Sequence, residues 1–190
     1  MSSQIVLASA SPRRKQLMEA AGIRCLTVSA DVNESIPEGT PPRIACMYNA
    51  LRKAQHVSRN YPDHLVIGAD TIVWDGRVLG KPENDEDAFR TLKELKNRTH
   101  SVYTGVCILS VSAGITRCLC EKTDVSFGDY SDHMIREYIA TGEPADKAGS
   151  YAIQGAWGIH VNRVQGDRDN VIGLPVTRLK EELVRLEADL

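Results

Sequence analysis

Gln4-Ile5-Val6-Leu7-Ala8-Ser9-Ala10-Ser11-Pro12-Arg13-Arg14 is the stretch that decides the fold. Its apolar opening reads as a strand that turns at once into a helix. Ser11 stands as N-cap and Pro12 takes the first helical position. Gly22 ends that helix, and Ile23 to Val28 returns as a strand. Strand and helix alternating this closely point to an α/β protein.

The rest of the chain extends the pattern. A polar loop carrying Asp31 and Glu34 leads to a second helix from Thr40-Pro41, with Ile44, Met47, Leu51 and Ala54 at helical spacing. Leu65 to Ala69 reads as a buried strand, and Asp75-Gly76 as a tight hairpin turn. Asn84 caps a third helix whose apolar stripe is Phe89, Leu92 and Leu95. Two long runs, Ser101 to Ser112 and Ile115 to Phe127, flank Ala113-Gly114 as an antiparallel pair. Ser131 begins a helix that stops at Gly142, and Gly142 to Ser150 is a polar loop. Tyr151 to Ile153 and Ile159 to Val164 are strand candidates. Val176, Leu179, Leu183 and Leu186 make the last helix amphipathic. Without repeats or linkers, residues 1–190 read as a single domain of mixed α/β type.

Composition narrows the function. With 42% hydrophobic and 25% charged residues, the chain can bury a real core, which excludes disorder, collagen-like repeats and a disulfide scaffold. The net charge of −2 gives no overall basic field, so polyanion binding must come from a local cluster. Two Trp, six Tyr and two Phe are too few for a single-strand stacking platform, so no nucleic-acid partner is expected. Five cysteines, Cys25, Cys46, Cys107, Cys118 and Cys120, without CxxC spacing read as idle thiols in a reducing cytosol. No run approaches the length of a membrane span, and Met1 to Leu7 lacks the features of a signal peptide. A cytoplasmic protein away from membranes is expected.

Three features carry chemistry. Helix N-termini favour acidic residues, and the third helix has Asp85, Glu86 and Asp87, but the first turn of the first helix is Arg13-Arg14-Lys15. With the Ser9 and Ser11 hydroxyls and free backbone N–H groups, that turn suits a phosphate chain; the bland reading is a solvated cluster pairing with carboxylates. Asp70 breaks the apolar run Leu65 to Val73, and buried carboxylates need a partner or a metal. At a strand end it serves as general base or metal ligand, unless the following Asp75-Gly76 turn satisfies it. Gln154, an amide in the short strand candidate beside Gly155, can donate to and accept from a base edge. Lys53, Lys81 and Glu34, read singly, are surface charges. No histidine pair has metal-ligand spacing, and no GxSxG, Walker A or GxGxxG occurs.

Taken together, Ser9-Ala10-Ser11-Pro12-Arg13-Arg14, Gly68-Ala69-Asp70-Thr71, Leu79-Gly80-Lys81-Pro82 and His100-Ser101-Val102-Tyr103-Thr104-Gly105 resemble the Maf family of nucleotide pyrophosphatases. So do Thr141-Gly142-Glu143, Asp146 to Gly155 and Val171-Ile172-Gly173-Leu174-Pro175, and the blocks keep family order over nearly the whole chain. The resemblance implies an elongated twisted sheet with flanking helices, two lobes around a deep cleft as in the inosine triphosphatases, and a homodimer. It implies hydrolysis of a nucleoside triphosphate between the α and β phosphates, with a divalent cation (Mg²⁺, Mn²⁺ or Co²⁺). By position, Asp70 is implied as proton acceptor and Arg13, Thr71 and Gln154 as substrate-choosing residues. Ser9, Arg13, Arg14, Lys53 and Lys81 are implied as phosphate-binding, and Glu34 with Asp70 as metal-holding. Tyr151-Ala152-Ile153-Gln154-Gly155 is similar to the branch acting on dTTP and UTP; CTP or modified pyrimidine nucleotides are further substrates of that type. The alternatives are the 7-methyl-GTP branch, where a Ser-Glu pair usually stands for Ile153-Gln154, and a non-catalytic nucleotide-binding regulator of septum formation.

Overall fold

A computed structural model describes residues 4–188; Met1 to Ser3, the beginning of the stretch read against a signal peptide, lie outside the described residues. The elements are β1 (Ile5–Ala8), α1 (Pro12–Ala20), β2 (Cys25–Val28), α2 (Pro42–Ser58), β3 (Leu65–Trp74), β4 (Val78–Leu79) and α3 (Asp85–Leu95). After these come β5 (Thr99–Ser110), β6 (Ile115–Phe127), α4 (Asp132–Ala140), β7 (Val161–Gln165), α5 (Arg168–Ile172) and α6 (Val176–Ala188). The seven strands hydrogen-bond in the order β2-β1-β3-β5-β6-β7, with β4 added to β3. β1 runs parallel to both β2 and β3, while β4 and β7 lie antiparallel to β3 and β6. The fold is mixed α/β with helices flanking one sheet, as expected.

The chain divides into two compact units. The first takes residues 4–70, Thr104–Glu121 and residues 173–188; the second holds Thr71–Tyr103 and Lys122–Ile172. In the first unit Val6 and Ala8 of β1 pack with Val66 of β3, with Ala50, Ala54 and Val57 of α2, and with Cys107 and Leu109 of β5. Val6, Leu7 and Ala8 are all fully buried, as a central parallel strand covered on both faces must be. A Cβ on Gly68 would stand 2.1 Å from the Ala50 carbonyl oxygen, so α2 lies against β3 only because residue 68 has no side chain. The core of the second unit takes six of the ten aromatic residues: Phe89, Phe127, Tyr130, Tyr138, Tyr151 and Trp157. Scarce overall, the aromatics are spent on one core, where their rings meet edge-on or stacked.

Several sequence expectations need correction. Ser11 makes no side-chain cap; its N–H donates instead to Ser9 Oγ at 3.2 Å. The buried face of α2 is not Ile44, Met47, Leu51 and Ala54: Ile44 is half exposed, and the helix buries Ala45, Cys46, Asn49, Ala50, Lys53, Ala54, Val57 and Ser58. The stretch 142–150 is not featureless loop, because it forms 3₁₀ turns at Glu143–Asp146 and Ala148–Ser150. Tyr151 to Ile153 is no strand. Its apolar residues are anchors of the aromatic core, so Gln154 stands in a turn ahead of a 3₁₀ turn at Ala156–His160. β7 starts only at Val161. Asn84 does cap α3, accepting from the Asp87 N–H at 2.9 Å, and Ser131 caps α4, accepting from Met134 at 3.2 Å.

Candidate active site

The site is built where β3 passes α2. Val66, Gly68 and Asp70 alternate onto one face of the strand, and Gly68 brings the helix backbone into contact there. One step further along the strand, Asp70 therefore meets the helix residues Asn49 and Lys53, which lie one turn apart. Lys53 Nζ donates to Asp70 Oδ1 at 2.8 Å, to Glu34 Oε2 at 2.9 Å and to the Ala69 carbonyl at 3.4 Å. Asn49 Nδ2 donates to Asp70 Oδ2 and to the Glu34 carbonyl, each at 3.1 Å. Asp70 is internal to a ten-residue strand and not at its end, and Lys53 and Asn49 satisfy it, not the Asp75-Gly76 turn.

Burial splits the two carboxylates. Asp70 and Lys53 are 6% and 7% exposed, so the reading of Lys53 as a surface charge does not hold. Desolvation pushes the Asp70 carboxyl above the usual carboxylate range, against the pull of Lys53, Arg14 and Asn49. Burial also acts on Glu34, but its bond to Lys53 and the charges of Lys53 and Arg14 outweigh it and hold this half-exposed carboxyl low.

Arg14 supplies the second part. Its Nε donates to the Gly173 carbonyl at 2.8 Å and its Nη1 to Ser9 Oγ at 3.2 Å. Desolvation lowers its pKa, opposed by the charges of Asp70 and Glu34, so Arg14 feels both carboxylates. Ser9 is buried, and its oxygen accepts from both Arg14 and the Ser11 N–H, which leaves its own proton for a further acceptor. The first-turn cluster of α1 is thus mixed. Lys15 pairs with Glu19 on the exposed surface, while Arg14 turns inward.

The structure therefore brings Ser9, Arg14, Glu34, Lys53 and Asp70 together within the first unit, with Arg13 adjoining Arg14 on α1. Thr71, Lys81 and Gln154 belong to the second unit. Thr71 follows Asp70 along β3, Lys81 is exposed just after β4, and Gln154 is exposed on its turn. Asn49 is the residue that sequence reasoning missed. Its signal was present: Asn49 and Lys53 at helical spacing among Ala45, Ala50 and Ala54, a small-residue face where two polar side chains need partners.

A model of the family described as Maf-like protein matches residues 4–186. The chain belongs to the Maf family. A protein named dTTP/UTP pyrophosphatase from a strain of Bacillus cereus is 45% identical over 188 residues, covering 98% of this chain and 97% of that one. Another of that name, from a strain of Bacillus anthracis, is 44% identical with the same coverage. The solved structure of the Staphylococcus aureus Ham1 protein matches with a TM-score of 0.55 at 12% identity, covering 97% of this chain and 100% of that one. At that identity the match shows a shared fold.

Whether a divalent cation suits this Maf site is answered by its donors. Among the described residues no group of three or more His, Cys, Asp or Glu side chains gathers into a cage. The site instead offers two hard carboxylates drawn to one ammonium, and Asn49 Oδ1, buried without a partner on the carboxamide that bonds Asp70. That set fits a hard cation such as Mg²⁺, which takes the rest of its shell from phosphate oxygens and water.

Proposed function

We propose that this chain is a nucleoside triphosphate pyrophosphatase that hydrolyses dTTP and UTP to the monophosphate and pyrophosphate. The observation that carries the reading is the buried Asp70 carboxylate, held by Lys53 and Asn49, with its carboxyl pushed above the usual carboxylate range by burial. The names of the two Bacillus relatives supply the substrate class.

In this reading Asp70 takes the proton of the attacking water. Lys53 and Asn49 fix the orientation of its two oxygens, so the base needs no reorganisation during reaction. Arg14 and the Ser9 hydroxyl bind phosphate oxygens, with Arg13 and Lys81 adding positive charge. Glu34 and Asp70 would hold the divalent cation, which would supply charge neutralisation on the phosphate chain. Arg13, Thr71 and Gln154 choose the nucleotide. Gln154 suits thymine and uracil because a carboxamide offers one donor and one acceptor in a plane. The enzyme works as a cytoplasmic homodimer with a house-cleaning role.

Pyrophosphate release from dTTP, UTP, CTP and 7-methyl-GTP, each with Mg²⁺, Mn²⁺ and Co²⁺, tests the proposal. Turnover concentrated on dTTP and UTP is the expected result. Preference for 7-methyl-GTP overturns the branch assignment, and nucleotide binding without release of pyrophosphate overturns the enzyme assignment.

A further inference from the structure

The turn that carries Gln154 is held from both sides by one chain of hydrogen bonds. Upstream of Gln154, the Ala152 N–H donates to Tyr138 Oη at 3.3 Å. Tyr138 Oη in turn donates to Glu143 Oε1 at 2.9 Å. Downstream, the Ala156 N–H donates to Glu143 Oε2 at 3.3 Å. The turn is closed on itself by Gly155 N–H to the Ala152 carbonyl at 3.1 Å. Arg168 Nη2 reaches the Ile153 carbonyl at 3.4 Å.

Packing enforces the same geometry. Tyr151, Ile153 and Trp157 are buried around the turn, while Gln154 is exposed. A Cβ on Gly155 would stand 1.7 Å from Glu143 Oε1, so the carboxylate occupies the space any side chain at 155 would need. Tyr138 itself is buried at the end of α4, where its ring stacks on Trp157 at 4.7 Å. Glu143 is anchored in its own turn, its N–H donating to Thr141 Oγ1 at 3.2 Å. An exposed glutamine on so restrained a backbone is a presented group, its place on the turn set before any ligand arrives.

We propose that Tyr138 and Glu143 are positioning residues that fix the Gln154 turn and thereby set the enzyme's choice among pyrimidine nucleotides. The inference rests on Gln154 reading the base, as proposed above. Neither residue touches substrate; each acts through the backbone on either side of Gln154. Losing the clamp lets the turn sample other conformations, so base discrimination declines while the chemistry at Asp70 is left intact.

The test compares Glu143→Ala, Glu143→Gln, Tyr138→Phe and Gln154→Ala with the parent protein on dTTP, UTP and CTP, with melting temperature as a check on folding. Glu143→Ala and Tyr138→Phe are expected to raise KM for dTTP and UTP about tenfold, the scale of one hydrogen bond to a charged group, with kcat within about twofold. The kcat/KM preference for dTTP over CTP should narrow by a similar factor. Glu143→Gln should restore most of it, since a carboxamide can accept from Ala156 and donate to Tyr138 Oη. Amide exchange in the nucleotide-free protein should reveal lost protection at Ala152 and Ala156 in Glu143→Ala and Tyr138→Phe. If Gln154→Ala erases the preference while the two clamp variants keep it, the positioning role is overturned and Gln154 still reads the base. If the clamp variants lower kcat equally for all three nucleotides, their role is structural and the proposal is overturned. If Gln154→Ala itself keeps the preference, the base-reading role falls and the proposal falls with it.

Discussion

At the scale of single residues, the first unit turns on a carboxylate in a place that does not favour charge. Asp70 has a folded-state pKa above its ordinary value because burial penalises its ionised form. The folded chain therefore binds that proton more tightly than the unfolded chain does. This group stabilises most at low pH and progressively less as pH rises through its folded pKa. Asp70→Asn removes the penalty while keeping the shape. Its Oδ1 still accepts from Lys53, and Asn49 can turn its orphaned Oδ1 toward the new amide. The metal-free Asn variant should melt no lower than the parent at neutral pH, and any advantage should shrink as pH is lowered. Turnover should meanwhile fall by about 10²–10⁴, the usual cost of losing a general base, with nucleotide affinity largely kept. Calorimetry with pyrophosphate release checks both, and parent-like turnover rejects Asp70 as the base. Lys53→Ala behaves oppositely, taking the paired cation from a buried carboxylate at about 3–5 kcal/mol. In the double variant Lys53→Ala/Asp70→Asn most of that loss should vanish, because a neutral amide needs no cation. Additive losses in urea unfolding would mean that the ion pair is not what Lys53 contributes.

At the scale of elements, placement of the site depends on how closely α2 lies on β3. Gly68→Ala sets a methyl 2.1 Å from the Ala50 carbonyl oxygen and 2.8 Å from the Ala54 amide nitrogen, so backbone must move. Overpacking of this kind costs about 1–3 kcal/mol. Because Asn49 and Lys53 flank Ala50 and Ala54 on the same helix, the shift also misplaces both partners of Asp70. A lower melting temperature together with a kcat loss of about 10² is expected, the scale of a roughly 1 Å misplacement at a catalytic group. Full kcat in a destabilised Gly68→Ala would separate packing from catalysis and contradict this account. The same contact explains what was legible in sequence. β1, α1, α3 and the β5–β6 pair follow from apolar runs, caps and turn residues, which act locally. The buried face of α2 does not, because its packing against a glycine admits only small residues, and hydrophobic spacing drew attention to Ile44 and Met47 instead of Ala45, Asn49 and Lys53. Tyr151-Ala152-Ile153 misled in the opposite way. Its apolar residues answer to an aromatic core, so no ladder partner is required. Arg14 and Asp70 were legible because each breaks a rule within its own segment, whereas Asn49 breaks none until β3 is placed beside it.

At the scale of the whole chain, the two units carry buried titratable groups that respond to acid in opposite directions. In the second unit His100 is 2% exposed, with Nε2 2.7 Å from the Tyr151 hydroxyl and rings of Phe127 and Tyr151 against its own. Desolvation holds it neutral and pushes its pKa down to about 4, from 6.5. The unfolded chain therefore binds a proton on His100 between those values while the folded chain does not. The stability contributed by neutral His100 is complete above about pH 6.5 and is lost as pH falls toward 4, amounting to about 3 kcal/mol at 1.36 kcal/mol per pH unit. Asp70, in the first unit, works the other way, since protonation relieves a buried charge. Mild acid should therefore loosen the second unit before the first. Amide exchange, corrected for intrinsic rates, should show the paired residues 124–127 and 161–165 losing protection between pH 7 and pH 5, while residues 5–8 and 65–68 of the first unit keep theirs. His100→Gln, which retains a hydrogen-bonding partner for Tyr151 but does not titrate, should flatten that pH dependence. Equal loss of protection in both units, or an unchanged pH dependence in His100→Gln, would mean that acid acts on the fold through some other group.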